Sequence, residues 1–64
     1  MLKVIIAEDD PAMRLILQKT LTKLPGVSVI GEATNGRELI EMVESLQPNV
    51  VILDGGIRAG ILDI

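Results

Sequence analysis

The sequence predicts an α/β domain ordered β-α-β-α-β around a parallel three-stranded sheet. Three observations carry that prediction. Aliphatic runs at 2–7, 27–33 and 50–53 have strand length, two stretches of helical spacing separate them, and Leu24-Pro25-Gly26 and Pro48-Asn49 punctuate the joins. Strands alternating with helices in this way require a parallel sheet with right-handed crossovers.

Leu2-Lys3-Val4-Ile5-Ile6-Ala7 is β-branched in its middle and ends in charge, the pattern of a strand buried on both faces. Pro11 suits the first turn of a helix, with Asp9 or Asp10 as its cap. Met13, Leu17, Leu21 and Leu24 then recur at helical spacing, and Ile16 widens the stripe. Arg14, Gln18, Thr22 and Lys23 are expected to face away, with Leu15 on the polar side. Val27 to Ala33 forms the second strand. Thr34 or Asn35 caps a second helix, whose stripe is Leu39, Met42, Val43 and Leu46, with Arg37, Glu41 and Glu44 opposite. Val50-Val51-Ile52-Leu53 is a third buried strand, delivering Asp54.

Composition narrows the function classes. At 64 residues the chain is one small domain or part of one, with no cysteine and no aromatic residue, so Val, Ile, Leu, Met and Ala must make the core. A hydrophobic content of 48% and mean hydropathy of +0.49 exclude disorder and leave apolar surface for a partner. A net charge of −3 argues against a nucleic-acid surface. No apolar run approaches the roughly 20 residues of a membrane span. No signal-peptide pattern opens the chain, so a cytoplasmic protein is expected.

Glu8, Asp9 and Asp10 place three like charges together, directly after an aliphatic strand. The plain explanation is a solvated turn before a helix, where acids favour the positive end of the dipole. A second explanation comes from topology. In a flavodoxin-like sheet of order 2-1-3, the first and third strands are neighbours and point the same way. Glu8, Asp9 and Asp54 then share a cleft at the topological switch point. Converging carboxylates suit a hard cation such as Mg²⁺, which takes oxygen ligands and relieves their repulsion. A carboxylate beside such a cation can attack phosphorus. The alternative for Asp54 is that it caps whatever follows the strand.

Residues 1–54 resemble the N-terminal half of a response-regulator receiver domain, the phosphoacceptor module of two-component signalling. The resemblance rests on Glu8-Asp9-Asp10-Pro11 after the first strand, Arg14 with Leu17 and Leu21 behind it, Gly31-Glu32-Ala33-Thr34-Asn35-Gly36, and Pro48 to Asp54. It implies that Asp54 accepts a phosphoryl group from a partner histidine kinase, so that the module is an acceptor and not an enzyme. It implies Asp9 as a direct Mg²⁺ ligand, Glu8 acting largely through water, and Gly56 supplying its backbone carbonyl. Asp10 is left to capping.

The sequence also departs from the family. After Asp54 the family usually carries Met-Pro, whereas residues 55–64 read Gly-Gly-Ile-Arg-Ala-Gly-Ile-Leu-Asp-Ile. The family's hydroxyl residue after a fourth strand and Lys after a fifth have no counterpart within these residues. Impaired phosphotransfer is therefore expected. Residues 55–64 form a divergent tail in which Ile61-Leu62-Asp63 repeats Ile52-Leu53-Asp54 and could add a short strand. A three-stranded sheet with one helix per face leaves apolar surface uncovered, so self-association into a homodimer or higher even oligomer is expected to complete it. The alternative function is a half-domain acting only as a self-associating structural module. A haloacid-type hydrolase would want Asp-x-Asp, which Asp54-Gly55-Gly56 does not supply.

Overall fold

The computed structural model describes residues 1–53. Within them the order is β1 (Leu2–Ala7), α1 (Pro11–Thr22), β2 (Val27–Ala33), α2 (Gly36–Leu46) and β3 (Val50–Leu53). The sheet is parallel with order β2-β1-β3, as the sequence predicts. Residues 54–64, including the expected extra strand, lie outside the described residues.

β1 is central because it is apolar on both sides: Val4 to Ala7 are buried, with Ile5, Ile6 and Ala7 fully so. Both helices pack on β1 and β2 and not on one another, which places one on each face. Ile5, Ala7, Ala33 and Leu39 form the core cluster, with Met42 and Val43 of α2 packed against it. The β1–β2 register passes from Val4 opposite Val29 to Ile5 opposite Gly31, so Ile30 is an extra residue in β2. A Cβ on Gly31 would stand 3.2 Å from Met42 Sδ and 3.3 Å from Leu46 Cδ1. Glycine is what lets α2 lie close to the sheet.

Local chemistry sets each boundary. Asp10 is the N-cap of α1, its side chain accepting from the Ala12 N–H, with Pro11 in the first turn. Gly26 turns the chain into β2 with φ +80°, and its carbonyl accepts from the Leu2 N–H. Asn35 caps α2 by accepting from the Glu38 N–H at 2.9 Å. Glu38 answers by accepting from the Thr34 N–H and hydroxyl, a reciprocal cap shifted back by one residue. The Thr34 hydroxyl, and then its N–H, hold the Glu38 carboxyl below its ordinary range. Ahead of β3, Asn49 pairs with Lys3 twice. Its side-chain oxygen accepts from the Lys3 N–H and its own N–H donates to the Lys3 carbonyl, each at 2.8 Å. This fixes where β3 joins β1.

α1 corrects the sequence reading. Its inward arc is Arg14, Leu17, Gln18 and Leu21, all half-buried. Met13 (41% exposed), Ile16 (56%) and Leu24 (49%), expected inside, face solvent, as Leu15 does. The rotation accompanies Arg14, whose half-buried side chain finds acceptors in the Glu8 carbonyl and Glu32.

Candidate functional site

The site is built at the carboxyl end of the β1–β3 pair. The parallel register aligns Val4 with Val50, Ile5 with Val51, Ile6 with Ile52 and Ala7 with Leu53. Each of the last partners is followed in the chain by an acid, Glu8 after Ala7 and Asp54 after Leu53. The proposition that strands one and three lie side by side and point the same way therefore holds. Asp54 and Gly56 lie outside the described residues.

Glu8 is only 1% exposed. Its N–H extends the ladder to the Ala33 carbonyl at 3.0 Å, and its carboxylate Oε1 accepts from the Asp10 N–H at 3.0 Å. A buried carboxylate is tolerable only when hydrogen-bonded or paired, and here the backbone of the turn supplies part of that. Asp9 is exposed at the mouth of the turn. Asp10 turns away into its capping role, as the sequence reading assigns it. The acid run thus divides into a buried residue, an exposed residue and a cap.

Arg14 is the residue beside the acid turn that the sequence reading misplaces. Its Nη1 donates to the Glu8 carbonyl at 3.0 Å, and its Nε lies 3.5 Å from Glu32 Oε1 on β2. The one available signal is its position in the first turn of α1, within a long side chain's reach of the strand ends. Among the described residues no three acidic side chains form a cluster able to hold a metal ion. The expected third acid is Asp54.

The response regulator receiver domain family matches residues 4–59. The chain belongs to that family. As a receiver domain it has curated relatives of several architectures. It is 46% identical over 54 residues to protein-glutamate methylesterase/protein-glutamine glutaminase 4 of Geobacter metallireducens, covering 84% of this chain and 16% of that protein. It is 44% identical over 52 residues to chemotaxis protein CheY of Thermotoga maritima, covering 81% and 42%. It is 35% identical over 51 residues to the nitrate/nitrite response regulator protein NarL of Escherichia coli, covering 80% and 24%. The chain thus spans from 16% to 42% of these three curated relatives, so the likeness to the methylesterase concerns its receiver portion alone. No helix among the described residues is long and apolar enough to cross a membrane.

Proposed function

We propose that this receiver domain accepts a phosphoryl group on Asp54 from a histidine kinase, with Glu8, Asp9, Asp54 and the Gly56 carbonyl as Mg²⁺ ligands. The observation that carries the reading is the pairing of Ala7 with Leu53, each followed by an acid. The donors fit a hard divalent ion: all are oxygens, two are adjacent carboxylates, and such ions rarely need more than one or two. Bound there, the ion neutralises charge on the transferring phosphoryl group.

The chain's own residues then have distinct tasks. Asp54 supplies the attacking oxygen; its bond to phosphorus forms as the phosphorus–nitrogen bond of the phosphohistidine breaks, and the imidazole takes up a proton. Asp9, exposed at the mouth, is the direct ligand. Glu8, buried with Oε1 engaged by the Asp10 N–H, acts largely through water. The departures after Asp54 support weak acceptance by residues 1–64 alone. The test is intact mass after incubation with Mg²⁺ and a small-molecule phosphodonor. A phosphoryl adduct absent from Asp54→Asn supports the reading; an adduct equal in Asp54→Asn contradicts it. The setting we infer is the cytoplasm, in keeping with a soluble signalling module.

A second reading is favoured by one observation. Among the described residues the outer edge of β3 carries no strand, and Val50 on that strand is 38% exposed. A self-associating module would pair that edge with a second copy in an even oligomer. Sedimentation of residues 1–64 at micromolar concentration as a folded monomer contradicts it.

A further inference from the structure

We propose that Arg14 and Glu32 form a charge-neutral clamp that holds the Glu8–Asp9–Asp10 turn in its cation-binding shape, an inference that rests on the Mg²⁺ reading above. The turn must present Asp9 outward while keeping Glu8 inside, although adjacent carboxylates repel. Its backbone is gripped at three points. The Glu8 N–H reaches Ala33 of β2, the Glu8 carbonyl accepts from Arg14 of α1, and the Asp10 N–H reaches back to Glu8 Oε1. The middle grip is the only one of the three made by a side chain from outside the turn.

A bare cation there would cost metal affinity, because a guanidinium beside the acids repels an incoming divalent ion. Glu32 offsets it. Opposite Ile6 in the register, Glu32 stands one strand away from the turn and meets Arg14 Nε at 3.5 Å. Arg14 therefore contributes one directional hydrogen bond to the turn with little net charge. Lysine does not replace it, since one ammonium on a flexible stem lacks the planar fork that serves two acceptors. Arg14 is a positioning residue. It acts on the ligands and not on the phosphoryl group.

The test reads amide hydrogen exchange in metal-free protein by NMR, and Mg²⁺ affinity by calorimetry. In Arg14→Met the Asp10 amide exchanges about fivefold faster, the factor expected from losing one ordinary hydrogen bond, while the Leu39 amide of the core is unchanged. Mg²⁺ affinity falls by about the same factor. Arg14→Lys, which keeps the charge and covers the case where Met perturbs packing, also speeds Asp10 exchange. Glu32→Gln leaves Asp10 exchange unchanged but weakens Mg²⁺ binding about twofold, an effect that added salt removes. Unchanged Asp10 exchange in both Arg14 variants overturns the clamp, as does equal acceleration at Asp10 and Leu39. Absence of Mg²⁺ binding by the unsubstituted protein overturns the metal reading instead, and the exchange measurement, made without metal, still decides the clamp.

Discussion

Arg14 Nη1 donates to the Glu8 carbonyl at 3.0 Å, joining the first turn of α1 to the end of β1. The bond orients α1. A guanidinium half-buried against the strand ends turns Leu17 and Leu21 toward the sheet and Met13 and Ile16 toward solvent. The same contact that fixes the helix also fixes the acid turn, so fold and site share one determinant.

Asp10 caps α1. Asp10→Ala removes the acceptor of the Ala12 N–H and is expected to destabilise the domain by about 1 kcal/mol. Asp10→Asn keeps an acceptor and stays within a few tenths of a kcal/mol, roughly as caps rank. Chemical denaturation measures both, and Mg²⁺ affinity should change little in Asp10→Asn. A large loss of Mg²⁺ binding in Asp10→Asn would reassign it to the site.

Gly31 answers to α2. Its missing Cβ leaves room for Met42 Sδ and Leu46 Cδ1, which a methyl group would meet at 3.2 and 3.3 Å. The far ends of those chains can shift by a few tenths of an ångström, so Gly31→Ala is mild. Gly31→Val, with two further carbons, is expected to cost about 2 kcal/mol, within the range for overpacked cores. Thermal or urea unfolding checks the order.

Acid weakens the start of α2. Glu38 is held below its ordinary carboxyl range by the Thr34 hydroxyl and N–H. A group with a depressed folded-state pKa contributes stability that is present above its unfolded value of 4.5 and lost as pH falls through the folded one. Stability followed by denaturation from pH 7 down to about 3 should therefore drop less steeply in Glu38→Gln than in the unsubstituted protein. Identical acid limbs would contradict the cap.

The sheet was legible because each strand carries its own signal. β1 is apolar on both faces, β2 begins after Pro25-Gly26, and β3 is an unbroken aliphatic run. α2 was legible for a related reason, since Leu39, Met42 and Val43 share one side and Glu41 and Glu44 the other. α1 was not. It carries apolar residues around most of its circumference, so periodicity cannot choose the inner arc, and the deciding partner of Arg14 is a backbone carbonyl. No side-chain pattern announces a carbonyl. Glu8 and Asp9 were placed correctly at the strand end because parallel topology puts them there, whereas the burial of one and exposure of the other depends on hydrogen bonds within the turn.

If acids from the ends of β1 and β3 serve one ion, their contributions to its affinity are coupled. A double-mutant cycle on Mg²⁺ affinity, measured by calorimetry for Asp9→Asn, Asp54→Asn and the pair, tests it most directly. Each single change is expected to weaken binding at least about tenfold, and the pair to lose much less than the product of the two, because the ion is already released. Losses that simply multiply, or unaltered binding in Asp54→Asn, would contradict it.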